Sequence, residues 1–252
     1  MWSIEQARSW WEQQPWLVGC NFIPSTAINQ LEMWQADTFD LATIERELAW
    51  GAELGLNVVR VYLHDLLWDS DPDGFAARID RFLDVSGRHG IAVMFVLFDD
   101  VWCVDAALGP QPAPYPGRHN SGWVQSPGLA ALRAYDDEPA VARRLERYVR
   151  GVVSRFARDE RVLLWDVYNE PGGYPSPRDP PVGEACLPLL RDVFAWVRDS
   201  SPSQPLTCGL WSSPVKALPQ SIPELQLSRM SCPSTTTGRP TSSSGSAIGS
   251  AV

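Results

Sequence analysis

The residues with the clearest chemical meaning are Asn169 and Glu170, which directly follow an apolar run of strand length, residues 162–168. Pro171 comes next and cannot continue a strand ladder, so the pair stands at the carboxyl end of the strand. In parallel α/β proteins the loops after the strands form one open face, where catalytic residues gather on a rigid support. A carboxyl group there can donate a proton and later accept one from water. Glu170 is therefore the candidate general acid and base.

The same residues also have a purely structural interpretation. Pro171 would end the strand, and Asn169 would supply the backbone geometry of a turn. Three residues alone do not separate a catalytic pair from a turn. The order of the surrounding elements has to decide.

Apolar runs of strand length alternate along the chain with patterns of helical period. We predict strands at residues 16–22, 57–63, 91–98, 162–168 and 205–211, and helices at residues 38–55, 73–90, 140–157 and 184–199. Strict alternation predicts a parallel sheet with right-handed crossovers. A doubly wound sheet and a (β/α)8 TIM barrel both satisfy it, but no glycine-rich phosphate loop follows any strand. The predicted fold class is therefore α/β of the TIM-barrel type, incomplete, with about five βα units.

Five residues on the predicted strands carry a resemblance to a known family. They are Gly19 and Asn21 on the first strand, Arg60 on the second, and Asn169 and Glu170 after the fourth. This arrangement resembles the cellulase-like and mannanase-like glycoside hydrolases of the two-glutamate TIM-barrel clan, that is, glycoside hydrolase family five and its relatives, over residues 16–211. The resemblance implies that Glu170 protonates the glycosidic oxygen and that Asn169 binds the sugar hydroxyl next to the reacting carbon. It also implies that Asn21 and Arg60 contribute to substrate binding.

Two further charged positions need an explanation. Arg60 lies within an apolar strand, where a guanidinium group is costly to bury without a carboxylate partner. The resemblance implies that Arg60 lies beneath the active site and sets the ionisation of the catalytic carboxylates; the alternative is a purely structural salt bridge to Asp65 or Asp99. Asp99 and Asp100 end the third strand, where relatives often carry a histidine. We expect one of them to face the sugar and the other to cap the loop.

Aromatic residues are consistent with a carbohydrate ligand. The chain has 12 tryptophans, and Trp102, Trp123 and Trp211 fall on or just past predicted strand ends. Flat indole faces can cover the apolar faces of pyranose rings. Residues 102–138, rich in Pro and Gly, are too long for an ordinary connection, so we predict a loop that shapes the cleft.

Composition limits the partners. The formal net charge is −9 and no basic cluster occurs, which argues against nucleic acid and anionic membranes as partners. The five cysteines and three histidines show no metal-binding or disulfide spacing, so we expect neither a metal nor a cofactor. No signal peptide and no membrane-spanning run are visible, and we expect a cytoplasmic protein.

The C-terminal residues do not continue the pattern. Residues 228–252 are rich in Ser, Thr, Gly and Pro without periodicity, so we divide the chain into a partial barrel domain, 1–227, and a disordered tail. The resemblance implies a nucleophilic glutamate after a seventh strand, and no residue here matches it. We hypothesise that the chain is C-terminally truncated and that residues from about Met230 are out of frame, because the shifted codons can encode a strand ending in His-x-Tyr.

We therefore expect a glycoside hydrolase that acts on a β-linked glycan or oligosaccharide by a retaining two-carboxylate mechanism, impaired in this chain. A non-catalytic carbohydrate-binding pseudoenzyme or a non-functional fragment is the alternative. A TIM-barrel enzyme of another class, with Glu170 as base, explains neither Asn169 nor the aromatic residues. The last strand, 205–211, would leave an unpaired sheet edge through which the chain could self-associate.

Overall fold

The computed structural model describes residues 2–103, 105–173 and 182–210, and one parallel sheet organises them. Its five strands follow one another in space in the order of the sequence. They are β1 (Gly19–Asn21), β2 (Val58–Tyr62), β3 (Ala92–Val96), β4 (Val162–Asn169) and β5 (Leu206–Gly209). A doubly wound sheet would reverse its strand order part-way, whereas a TIM barrel continues in one direction. The sheet is therefore of the TIM-barrel type, as the sequence predicted.

Four long helices connect the strands and lie close to their predicted positions. They are α3 (Leu41–Glu53), α5 (Pro72–Arg88), α7 (Pro139–Phe156) and α8 (Leu187–Asp199). Local sequence explains where they begin: Asp40 caps α3 by accepting a hydrogen bond from the Thr43 amide, and α5 and α7 both start at a proline, whose missing N–H is not needed there.

Shorter helical elements were not predicted. They are α1 (Ile4–Glu12), α2 (Gln30–Trp34), α4 (Asp65–Ser70), α6 (Leu129–Ala134) and a 3-10 turn (Gly183–Cys186). The last four have only four to six residues and complete at most two turns, so they give no readable hydrophobic period, and α1 has no buried residues to mark a face. The α6 helix lies within residues 102–138, which were predicted to form a loop.

The core lies between the helices and the sheet. Val93 and Phe95 of β3 lie on the same face of the strand and are fully buried, whereas Ala92 and Met94 on the other face are only partly buried. Trp34 of α2 is also fully buried and makes edge-on ring contacts with Phe75 and Phe82 of α5. This aromatic cluster fixes the short α2 helix against the long α5 helix, beside the carboxyl ends of the strands.

Strand β1 is shorter than predicted and lies at an edge of the sheet. All three of its residues are exposed, and Trp16, just before it, is 87% exposed. Within the described residues β1 pairs only with β2. Among the residues that the structure describes, the outer backbone groups of β1 thus have no strand partner.

Residues 211–252 lie outside the described residues, together with Trp211, the predicted tail 228–252 and the predicted domain boundary. Among the helices that the structure does describe, none combines the length and the apolar character needed to cross a bilayer.

Candidate active site

The strand register brings the predicted site residues to one end of the sheet. Asn21 of β1 pairs with Arg60 of β2, and Asn169 of β4 pairs with Gly209 of β5. A cleft of about 270 Å³ opens at this end. Its lining comprises Arg60, Met94, Asp166, Asn169, Glu170, Thr207, Gly209 and Leu210.

Glu170 is half-buried in this cleft with an uncommon backbone conformation. Its φ of +46° lies in the left-handed region, which costs a residue other than glycine of order 1–3 kcal/mol. Two backbone hydrogen bonds hold it: its N–H donates to the Gly209 carbonyl at 2.7 Å, and its carbonyl accepts from Gly173 at 2.9 Å. Burial raises the pKa of Glu170 above its ordinary value, although the charge of Arg60 acts in the opposite direction. A raised pKa is what a proton donor near neutral pH needs.

Arg60 is the centre of the polar network. It donates to Asp166 from Nε at 3.1 Å and from Nη2 at 2.5 Å, and Nη2 also donates to Oδ1 of Asn169 at 2.8 Å. Nη1 donates to Oδ1 of Asn21 at 3.3 Å and to the Tyr62 hydroxyl. Burial alone would lower the pKa of Arg60, but the charge of Asp166 and its hydrogen bond, together with Tyr62 and Asp99, outweigh it and the pKa is raised. The guanidinium therefore stays charged.

The alternative of a salt bridge from Arg60 to Asp65 or Asp99 is wrong. Asp65 is buried and pairs with Arg144 instead, while it also accepts a hydrogen bond from Ser126. Burial would raise the pKa of Asp65, but its contacts with His64, Arg144 and Ser126 hold it below its ordinary value. The partner of Arg60 is Asp166, two strands away.

Asp166 was not among the predicted site residues. Its Oδ2 accepts from Arg60, and its Oδ1 accepts from the backbone amides of Tyr168 at 3.3 Å and Gly209 at 3.2 Å. Burial raises its pKa and Arg60 counters this, with a net rise. A charged residue inside each of two apolar strands, Arg60 and Asp166, is the sequence signal that could have identified the pair.

Asp99 joins the network through Asn169. Its Oδ1 accepts from Nδ2 of Asn169 at 2.9 Å and from the Val101 amide at 3.2 Å, and its Oδ2 accepts from Nε1 of Trp123 at 2.7 Å. The side chain is 1% exposed, and burial raises its pKa to about 7 against the effect of these donors. Asp99 therefore contacts the predicted sugar-binding residue Asn169.

Asp100, the next residue, binds a different set of groups. It accepts hydrogen bonds from the Tyr168 hydroxyl at 2.8 Å and from the Gly172 amide at 2.8 Å. Burial raises its pKa to about 8, opposed by these two donors. These bonds tie the end of β3 to the turn that follows Glu170, which agrees with the loop-capping role expected for one of the two aspartates.

The three tryptophans expected at the site have different positions. Trp123 lies edge-on against Tyr62, with ring centroids 4.9 Å apart, and its indole nitrogen contacts Asp99. Trp102 contacts the ring of His119 edge-on within the same loop, with ring centroids 5.9 Å apart. Trp211 lies outside the described residues. Trp123 is thus the aromatic residue that joins the polar network.

The loop that carries Trp123 is fastened by amide side chains at the two ends of α2. Each bond joins a side-chain amide to a backbone group, at 2.6 to 3.1 Å. They run from Asn29 to Gly122, from Gln30 to Val124, and between Gln35 and Gly109. These glutamines and asparagines lie between predicted elements, where sequence gives no sign of their long-range partners.

No group of three His, Cys, Asp or Glu side chains suited to a metal ion occurs in the part of the chain that the structure describes.

Solved structures show the same fold. An exo-β-1,4-mannosidase from Opitutaceae bacterium strain TAV5 matches with a TM-score of 0.53 and 22% identity, over 77% of this chain and 31% of its own. The β-mannanase of the blue mussel Mytilus edulis matches with a TM-score of 0.52 and 16% identity, over 77% of this chain and 59% of its own. GH5_18 from Streptomyces cattleya, solved in complex with GlcNAc, matches with a TM-score of 0.51 and 17% identity, over 77% of this chain and 44% of its own.

These similarities are structural. No family model matches the sequence, and no curated protein matches it. This chain spans 31 to 59% of the length of the three solved proteins. At these identities the matches establish a fold of the TIM-barrel type.

Proposed function

We propose that this chain derives from a retaining glycoside hydrolase of the glycoside hydrolase family five clan, in which Glu170 is the general acid and base. The observation that carries the proposal is a half-buried glutamate with a raised pKa, at the carboxyl end of β4, beside Asn169 and the charged Arg60. The three fold neighbours described above include a mannosidase and a mannanase, which supports a β-linked hexoside as substrate.

The reaction assigns a separate step to each group. Glu170 donates a proton to the glycosidic oxygen as that bond breaks, then removes a proton from the water that attacks the sugar. Asn169 donates to the hydroxyl next to the reacting carbon, a contact that strengthens in the oxocarbenium-like transition state. Arg60 holds Asn169 in place and supplies a positive charge near both carboxylates of the cleft.

A retaining mechanism needs a second, nucleophilic carboxylate about 5–5.5 Å from the first. Asp166 lines the cleft but does not suit this role, because both of its oxygens already accept hydrogen bonds from Arg60 and backbone amides. We therefore propose that the nucleophile comes from beyond the described residues, and that a chain without it is impaired. A cytoplasmic location is part of the same proposal.

The test uses Glu170→Gln, with Glu160→Gln as the matched control. Both are made in this chain and in the frame-shifted product, in which the reading frame of the same gene is shifted only from about Met230 onward. Glu160 is exposed, just before β4, at the opposite end of the strand. We expect Glu170→Gln to lose about 10²- to 10⁴-fold in kcat for unactivated β-linked oligosaccharides, the usual contribution of a general acid. Glycosylation by a dinitrophenyl glycoside, whose leaving group needs no proton, should change far less, and the control should behave as wild type. Equal turnover of oligosaccharides by Glu170→Gln and wild type would refute the role.

A carbohydrate-binding protein without activity is the second candidate. The observation in its favour is that, among the described residues of the cleft, the second carboxylate is fully occupied by hydrogen bonds. Isothermal titration with manno- and cello-oligosaccharides separates the candidates: binding with no turnover by either form of the protein supports the second.

A further inference from the structure

Asp99 is a carboxylate with a defined donor for each oxygen. Oδ1 accepts from Asn169, and Oδ2 accepts from the indole of Trp123. The backbone fixes its position as well, because Asp99 exchanges two hydrogen bonds with Ser126, at 2.8 and 2.9 Å, and the Asn169 amide donates to the Phe98 carbonyl at 2.8 Å. Asp99 is thereby held beside the amide group of Asn169.

The neighbours of Asn169 allow only one orientation of its amide. Arg60 has only donors, and it contacts Oδ1; above its pKa of about 7, Asp99 is ionised and has only acceptors, and it contacts Nδ2. Rotating the amide by 180° would set its NH₂ group against the guanidinium and its oxygen against the carboxylate. Both hydrogen bonds would be replaced by repulsive contacts.

The Asn169 amide has a second hydrogen that it can donate. Nδ2 carries two hydrogens, and the bond to Asp99 uses one of them. We propose that Asp99 is a positioning residue, fixed by Trp123, that holds Asn169 so that the second Nδ2 hydrogen meets the hydroxyl next to the reacting carbon. This inference rests on the function proposed above and adds two residues, Asp99 and Trp123, to the recognition of that hydroxyl.

A carboxylate is required for this task. Asp99→Asn keeps the shape, but its own NH₂ group must oppose either Asn169 or Trp123, both of which donate. One of the two bonds is then lost and the orientation of Asn169 is no longer unique. The variant should therefore lose recognition of one hydroxyl rather than activity in general.

The experiment compares p-nitrophenyl β-D-glucoside and β-D-mannoside with their shared 2-deoxy analogue, since the two sugars differ only at carbon 2. The variants are Asp99→Asn, Trp123→Phe and, as the matched control, Asp65→Asn. Asp65 is also a buried carboxylate, but it accepts from the side chains of Ser126 and Arg144 outside the cleft, whereas Asp99 pairs with the backbone of Ser126 and does not contact its hydroxyl group. Each is measured in this chain and in the frame-shifted product, with circular dichroism to confirm folding.

We expect the wild type to prefer the hydroxylated substrates, and Asp99→Asn to reduce this preference in kcat/KM by at least about tenfold, the size of one hydrogen bond to a charged group. Trp123→Phe should reduce it by about threefold, and it decides the question if Asp99→Asn does not fold. Asp65→Asn should leave the ratio unchanged. An unchanged ratio in both Asp99→Asn and Trp123→Phe, with an active wild type, overturns the positioning role alone. Absence of turnover by the wild type in both forms overturns the proposed function, and the positioning role with it.

Discussion

The guanidinium of Arg60 on β2 reaches across β3 to the carboxylate of Asp166 on β4, with Nη2 and Oδ2 2.5 Å apart. Met94, the register partner of Arg60 on the intervening strand, lines the same cleft. The Asp166 side chain is 1% exposed and that of Arg60 is 19% exposed. Removing one member of such a pair leaves the other charge buried without compensation, so the pair constrains the site whatever its net contribution to stability.

The first prediction is a double-mutant cycle on this pair. Arg60→Met should lower the free energy of unfolding by about 3 to 5 kcal/mol, because it leaves Asp166 buried and unpaired. Asp166→Asn removes the charge that needs a partner, so Arg60→Met should cost much less in the Asp166→Asn background. Urea denaturation of the four proteins measures the coupling. Additive changes would show that the two side chains do not interact energetically.

Much of the sheet could be predicted because its strands are short apolar runs flanked by glycine, proline or aspartate. Arg60 and the Asn169-Glu170 pair could be identified for the same reason, since each is a polar interruption of such a run or stands at its end. The predicted bounds of β1 were the least accurate. The prediction assumed a buried strand, whereas the residues of β1 are exposed.

The partners within the site could not be predicted, for a physical reason. The bond between Trp123 and Asp99 spans 24 residues of irregular loop, and that between Arg60 and Asp166 spans 106 residues. No periodic sequence pattern marks either of these two bonds, because each depends on how far a side chain reaches across the sheet or on the geometry of a loop. One of Asp99 and Asp100 was expected to face the sugar, and sequence gave no sign that Asp99 would form a hydrogen bond with Asn169.

The second prediction concerns pH. Burial raises the pKa of Asp99 to about 7 and that of Asp100 to about 8, from an ordinary 3.8. The folded protein therefore holds protons that the unfolded chain has already released above about pH 4, and its stability should fall as pH rises from about 4 to 8. The pKa of Asp65 is lowered instead, so its contribution to stability is lost only at a pH below this window.

Asp100→Asn tests this dependence. The amide cannot ionise, so the stability of the variant relative to wild type should improve steadily between pH 5 and about pH 8 in thermal melts and then level off. Asp105→Asn, on an exposed position of the following loop, is the control and should give a constant difference. A constant difference for Asp100→Asn as well would mean that Asp100 titrates as an ordinary carboxyl group.

The third prediction concerns the space at Gly209. A Cβ atom at this position would lie 3.1 Å from Oδ1 of Asn169 and 3.2 Å from Nη2 of Arg60, which is tighter than ordinary contact. Gly209→Ala should therefore displace the Asn169 amide and reduce kcat/KM more than it reduces the melting temperature. Gly87→Ala, in the α5 helix with its nearest atom at 3.5 Å, should stabilise the protein by about 0.5–1 kcal/mol. Equal activity of both variants would show that the cleft tolerates the methyl group.

The fourth prediction concerns self-association. The sequence predicted a free sheet edge at residues 205–211, but this strand adjoins residues that are not described. The exposed edge among the described residues is that of β1, which lies beside Trp16. We propose that a second copy of the chain pairs with this edge, because unpaired strand groups next to an exposed apolar side chain favour association. Trp16→Asp should then shift size-exclusion profiles towards the monomer at high concentration. Trp50→Asp, at an exposed position of α3, should not. A concentration-independent monomer in the unmutated chain would rule the association out.

The fifth prediction separates the conformation of Glu170 from its chemistry. At φ +46° a glutamate is strained, whereas asparagine adopts the left-handed region more readily than other side chains with a Cβ. Glu170→Asn should therefore abolish general acid catalysis yet raise the free energy of unfolding, by up to about 1 kcal/mol. Glu170→Gln is the matched control, because it loses the charge but keeps the strained backbone conformation. Comparing the two variants separates the relief of backbone strain from the removal of a half-buried carboxylate. Urea denaturation of the three proteins at pH 7 measures both effects. If Glu170→Asn is no more stable than Glu170→Gln, the backbone conformation at this position stores no strain, and the bonds to Gly209 and Gly173 hold the catalytic side chain without a cost to the fold.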